Sequence, residues 1–210
     1  MFSKGTRTLL ALIQAIVGYE WLISGANKVL SGQFPQGLAD TLAEGLKDNP
    51  NGWYVSFLRA VVVPHSVFFG YLIELAEVGI GLALLGGALL LIGHLPARGE
   101  HYYRLARFEI GAAAVAAFAC VVLCVNFHFF MGGGFVSALN PAAPFDEGID
   151  LDTLLPPIAV IIGVLNTRLL IALVGDEVVR GRLTRLAAPF SRVHPPIRDR
   201  SEAQRDMRAA

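Results

Sequence analysis

The stretch Gly18–Phe34, GYEWLISGANKVLSGQF, decides how the chain is read. It lies in the first long apolar run, yet it carries Glu20, Asn27 and Lys28. An ionisable side chain in hydrocarbon costs about 2.5–3.5 kcal/mol on insertion scales, so a helix that keeps one there aims it at a protein partner or a wet cavity. Partners follow downstream: Glu74 and Glu77 in the second apolar run, and His128 in the third. The rest of the chain reads as the bundle that shelters this polar cluster.

Composition agrees. Of 210 residues, 54% are hydrophobic and 16% charged, where a soluble domain averages about 25% charged. Mean hydropathy is +0.56. The charge deficit and the apolar excess together point to an integral membrane protein, with membrane lipid as its surroundings; no nucleic-acid partner is expected. The two cysteines, Cys120 and Cys124, both fall inside an apolar run, so no disulfide framework is expected.

Four segments are long enough to cross a hydrocarbon core, which takes about 20 helical residues. They are Thr8–Leu30, Val67–Ile92, Leu105–Met131 and Leu154–Val174. Backbone groups in lipid must bond within their own segment, so helices are expected. Lys4 and Arg7 before the first segment, with Ser24-Gly25-Ala26 within it, also admit a signal peptide. Glu20 and Trp21 ahead of such a cut, and apolar character resuming after it, favour a span.

Basic residues set orientation. Lys4 and Arg7 precede helix 1, Arg98, Arg104 and Arg107 lie in or beside the second link, and Arg180, Arg182 and Arg185 follow helix 4. The link 132–153 has no Lys or Arg and carries Asp146, Glu147, Asp150 and Asp152. The basic regions share one side if both termini are cytoplasmic, which an even number of spans also demands. The expected fold is therefore an all-α, integral membrane four-helix bundle with both termini cytoplasmic. In the first link, Leu38, Leu42 and Leu46 recur every fourth residue beside Asp40, Glu44 and Lys47. That pattern predicts an amphipathic outer segment between helices 1 and 2, ended by Asn49-Pro50-Asn51-Gly52. Residues 1–188 read as the membrane domain. Residues 189–210 read as an Arg-rich, disordered cytoplasmic tail near anionic lipid.

Spacing sorts the polar groups onto faces. Glu20, Ser24, Asn27 and Lys28 fall at i, i+4, i+7 and i+8 of helix 1. Glu74 and Glu77 share a face of helix 2, and Cys120, Cys124 and His128 share one of helix 3. Depths at about 1.5 Å per residue put Glu20 and Cys120 near mid-membrane and Lys28, Glu74, Glu77, Asn126 and His128 in its outer half. Glu109 and Arg168 could meet as an inner ion pair. The carboxylates read either as locked packing groups or as proton-handling groups at an outer-facing cavity. For the cysteines, helix packing is the plainer reading, and no metal or haem is expected.

The sequence resembles the DoxX/DoxD family of small four-helix membrane proteins. The likeness lies in Gly18-x2-Trp21-x3-Gly25-x2-Lys28 with Phe34, and in Glu74-x2-Glu77-x3-Gly81-Leu82 with Gly87. It continues in Asn126-Phe127, Gly134, Ser137 and Asn140-Pro141, and covers roughly residues 7–176. The resemblance implies a prokaryotic plasma (inner) membrane and a quinone-linked redox role. DoxD-type members are subunits of thiosulfate:quinone oxidoreductase, which joins two thiosulfates to tetrathionate and passes electrons to quinone. Other members are adaptors or accessory proteins for redox partners. On the first reading Glu20, Glu74 and Glu77 would relay the protons that quinone reduction takes up. Asn27, Lys28, Asn126 and His128, with Arg59, are the candidate substrate-binding groups. A second subunit or redox partner would then be needed. A non-enzymatic membrane adaptor or assembly factor is the alternative, and a small transporter or channel built on the Glu cluster is a third.

Overall fold

Ser3 opens the first helix by accepting the Thr6 amide on its hydroxyl at 3.1 Å, as an N-cap does. In this computed structural model residues 3–93, 100–133 and 151–191 are described, with side chains described for 3–93, 102–133 and 151–175. The helices are α1 (Lys4–Ser31), α2 (Phe34–Gly45), α3 (Gly52–Phe57), α4 (Ser66–Ile92), α5 (Glu100–Phe130) and α6 (Leu151–Ser191). Four stretches, Lys4–Ser31, Gly52–Ile92, Tyr102–Phe130 and Leu151–Gly175, are long and apolar enough to cross a membrane. Gly134, Ser137, Asn140 and Pro141 lie outside the described residues, as does the tail from 192 onward; residues 189–191 close α6.

The long helices run antiparallel to their neighbours. Gly25 of α1 meets Val78 of α4, and Gly18 meets Leu84 farther along. Gly87 of α4 faces Ala113 of α5, and Gly163 of α6 faces Ala117. Between them lie Leu10, Leu84, Ile110 and Ile162, all fully buried. Large apolar side chains such as Ile16, Leu75, Phe118 and Ile171 cover the outside. That inversion suits a helix surrounded by hydrocarbon.

The closest approach is between α1 and α4, and glycine makes it possible. A methyl group added at Gly81 would lie 2.6–2.7 Å from backbone and Cβ atoms of Leu22. One added at Gly25 would lie 2.7 Å from the Val78 amide nitrogen. Small residues at such a seam let helix backbones pack directly.

The first link continues past the predicted segment into a second helical piece. Leu38, Leu42 and Leu46 are buried while Asp40, Glu44 and Lys47 are exposed, as the spacing implies. The segment after Gly52, however, does not stay a separate piece. It runs from α3 through a π-helical turn (Leu58–Val62) and a 3-10 turn (Val63–His65) directly into α4. Pro64 has no amide hydrogen and cannot continue a regular α ladder, so the widened and tightened turns absorb the break. Leu38, Leu42, Tyr54, Leu58 and Phe129 form a second small core with this link.

Asn49 and Asn51 close the end of α5. Asn49 Nδ2 donates to the carbonyls of Phe129 and Phe130 at 2.9 and 2.8 Å. Asn51 Nδ2 donates to the Gly133 carbonyl at 2.9 Å. Gly132, at φ +84°, turns the chain left-handed there. The Gly133 amide then reaches back to the His128 carbonyl and the Gly132 amide to that of Phe129, a Schellman ending.

Gly81→Ala should lower the thermal midpoint of the solubilised protein by the equivalent of roughly 1–3 kcal/mol, the usual cost of overpacking. Gly79→Ala is the control, because a methyl group there would meet nothing within 4 Å. Equal melting of the two variants would mean that the α1–α4 contact is looser than described.

Candidate functional site

The α1–α4 seam carries the polar chemistry. Lys28 Nζ lies 2.6 Å from Glu77 Oε2. Ser24 Oγ donates to the same oxygen at 3.0 Å, and Lys28 Nζ donates to Ser24 Oγ at 2.8 Å. Ser24 and Lys28 are one helical turn apart on α1, so both reach across to one carboxylate. The Glu77 side chain is fully buried, whereas that of Lys28 is 23% exposed. Lys28 also sits 5.4 Å from the ring centre of Phe34, a cation–π distance. Glu77 Oε1, by contrast, is buried with no hydrogen-bond partner.

Glu77 and Lys28 stand in the wall of a half-open cavity of about 550 Å³ lined by residues of α1–α6. Its other walls are mainly apolar, including Trp21, Phe34, Leu58, Ile73, Phe127 and Phe130. Trp21 is fixed by two contacts: its indole N–H points at Cys120 Sγ at 3.1 Å, and its ring stacks on Phe127. Tyr54 hydroxyl donates to the Asn126 carbonyl at 3.0 Å and lies 3.1 Å from Asn126 Oδ1. Asn126 in turn lines the cavity. Beside it, Lys28 also borders a polar recess of about 510 Å³ with Asn27, Ser31, Gln33 and Thr41.

The remaining expected residues are placed differently. Glu20 lines the cavity but is exposed, outside the Ser24–Lys28–Glu77 group. Its position four residues before Ser24 puts it on the same stripe, but without a partner across the seam. Glu74 is buried, with Oε1 unpartnered, yet it does not line the cavity. Asn27 is exposed in the recess. His128 Nδ1 pairs with Thr153 Oγ1 at 3.1 Å, joining α5 to α6 rather than facing the cavity. Arg59 is exposed in the π-helical turn.

Glu109 and Arg168 do not form the inner ion pair. The Glu109 carboxylate lies over Gly86 of α4, where the missing side chain leaves room. Arg168 is exposed on α6. A polar contact of that half is Gln14 Oε1 accepting from Asn166 Nδ2 at 3.1 Å, both side chains being fully buried. Among the described residues no group of three His, Cys, Asp or Glu side chains is placed to hold a metal ion.

Among the described residues the fold and site define an all-helical chain with four membrane-length apolar helices and a buried carboxylate, paired with a part-exposed lysine, at the wall of a cavity. No known protein family, curated protein or solved structure matches it.

A buried charge left without its partner is costly, about 3–5 kcal/mol in well-enclosed pairs. Lys28→Met should therefore destabilise the protein, by less than that because Lys28 reaches solvent. The double variant Lys28→Met/Glu77→Leu should recover part of the loss. A double-mutant cycle on thermal midpoints checks this; simple additivity would show that the two charges act independently.

Proposed function

We propose that the chain is a multi-pass protein of a prokaryotic plasma membrane, with both termini cytoplasmic, and that its cavity binds a quinone. Its role on this reading is that of a membrane subunit in a quinone-coupled oxidoreductase. The observation that carries the proposal is the pairing of an apolar, aromatic-walled cavity with one buried charged group that has unused hydrogen-bonding capacity.

A quinone head is flat and apolar on its faces, with carbonyl acceptors at its edge. Trp21, Phe34, Phe127 and Phe130 offer rings to those faces. An ammonium has three N–H donors; Lys28 directs hydrogen bonds to Ser24 and Glu77, and a third can meet a quinone carbonyl. The reduced form carries hydroxyls, and Glu77 Oε1 is an acceptor for one. A volume of about 550 Å³ falls within the range of small-ligand sites.

Reduction of the quinone takes two electrons and two protons, and a partner subunit would supply the electrons. Thiosulfate oxidation to tetrathionate is the leading case, on the strength of the family resemblance alone. Lys28 is neutralised by Glu77, so on this reading the dianion binds on the partner. The cytoplasmic placement of both ends rests on the clustering of Arg and Lys at the two termini and the 98–107 link.

Trp21 lines the cavity and is one of two tryptophans, the other being Trp53. In a Trp53→Phe background, a short-chain ubiquinone analogue should quench Trp21 fluorescence saturably. Glu77→Gln or Lys28→Met should weaken that binding about tenfold, the equivalent of about 1.4 kcal/mol. Absence of saturable quenching would remove the quinone reading. Thiosulfate-dependent reduction of the quinone by the purified protein with its copurifying partners would separate an oxidoreductase subunit from an adaptor.

A further inference from the structure

We propose that Glu77 is a proton-transfer site, fed through Ser24 and Lys28, that connects the polar recess to the apolar cavity. The inference deepens the quinone reading, on which its purpose rests, and it narrows the proton path to one carboxylate of the three acidic candidates.

The two spaces meet beside Glu77, at residues of α1 and α2. Ser24, Lys28, Phe34 and Thr41 border both the recess and the cavity. Glu77 borders only the cavity. Its links to the recess are the direct contact of Lys28 Nζ with Glu77 Oε2 at 2.6 Å and the hydrogen-bonded run from Lys28 Nζ to Ser24 Oγ to Glu77 Oε2, at 2.8 and 3.0 Å. Phe34 has no exchangeable side-chain proton, and the Thr41 hydroxyl donates to the Gly37 carbonyl, outside this run. A buried acceptor left bare costs about 1–3 kcal/mol. Glu74 Oε1 is bare as well, but of the two carboxylates only Glu77 carries its bare oxygen on a side chain that borders the cavity.

The transfer balances in simple steps. Lys28 gives a proton to Glu77 Oε2, directly or through the Ser24 hydroxyl, which passes its own proton on and takes one from Lys28. A hydronium ion in the recess reprotonates the lysine amine and is left as water. The net result is one proton moved from the recess to Glu77, which becomes a neutral carboxyl group. A half-turn of that group presents the proton to the cavity, where an acceptor such as a reduced quinone oxygen takes it. Glu77 returns to its carboxylate and the ion pair re-forms. Glu20 and Glu74 lie outside this run: Glu20 borders only the cavity, and Glu74 borders neither space.

Other titratable groups face Glu77 and set the background. Glu20 and Lys28 come from α1, Tyr54 from α3 and Asp152 from α6, all bordering the same cavity. Glu74 lies one turn earlier on α4. Among the described residues, α2 and α5 add no charged side chain to the cavity wall. A titration must therefore be assigned by variant rather than by position alone.

Infrared spectroscopy of the full-length protein in lipid nanodiscs tests the proposal without any quinone. Lowering the pH should raise a protonated-carboxyl C=O band that is lost in Glu77→Gln. In heavy water that band should shift promptly in the unaltered protein and roughly tenfold or more slowly in Ser24→Ala/Lys28→Met, which removes both the direct and the hydroxyl-bridged contact, the scale on which a positioned proton-transfer group matters. A band unaffected by Glu77→Gln, or exchange equally fast in Ser24→Ala/Lys28→Met, would overturn the proposal. If Glu77→Gln does not fold, the exchange rate of Ser24→Ala/Lys28→Met decides alone. Loss of quinone binding with this exchange behaviour intact would sink the quinone reading only; saturable quinone binding with no Glu77 band would sink the proton site only.

Discussion

A carboxylate placed where water does not reach must be answered by the protein, and the answer here is the contact of α1 with α4. Glu77 is fully buried, and Lys28 and Ser24 approach it from the facing helix. That approach needs the backbones close, which Gly25 and Gly81 allow. Glycine and charge are thus parts of one device. Larger residues at the seam would hold the helices apart, and Glu77 would face its desolvation without compensation. The device also fixes the register of the two helices, since one ion pair and two glycine contacts cannot all survive a slip by a turn.

The cavity follows from that register. With α1 and α4 drawn together at Gly25, α2 lies across α4, and Pro35 packs against Gly70. The link then folds back over the ends of α4 and α5, and the space beneath it stays open. Its walls are aromatic because the link and α5 bring Tyr54, Phe57, Phe127 and Phe130 to one level. The polar groups among these walls come from several helices: Glu20, Ser24 and Lys28 from α1, Glu77 from α4, Asn126 from α5 and Asp152 from α6.

Much of the architecture was legible in the sequence because it depends on run length and spacing. Four apolar runs gave four long helices, and the Leu38–Leu42 spacing marked buried positions of α2. The cost of isolated charge in an apolar run called for a partner to Lys28, but not for Glu77 rather than Glu74 or His128. Other features depended on which helices become neighbours, and spacing within one helix carries no such information. Cys120, Cys124 and His128 share a face by count, yet Cys120 turns to Trp21 and His128 to Thr153. Glu109 and Arg168 share a depth by count, yet Gly86 offers Glu109 a nearer berth. Gln14 and Asn166 find each other across the bundle, a pairing no local pattern announces.

The bond between the first link and the end of α5 has a consequence for synthesis. Asn49 and Asn51 leave the ribosome roughly eighty residues before the carbonyls they will meet. Until the third long helix arrives, their amide groups have no such partner and remain with water. Docking of that helix therefore replaces water on both sides at once, and its end becomes ordered only when an earlier part of the chain is already in place. Assembly of the bundle carries an internal order of events, written in two asparagines.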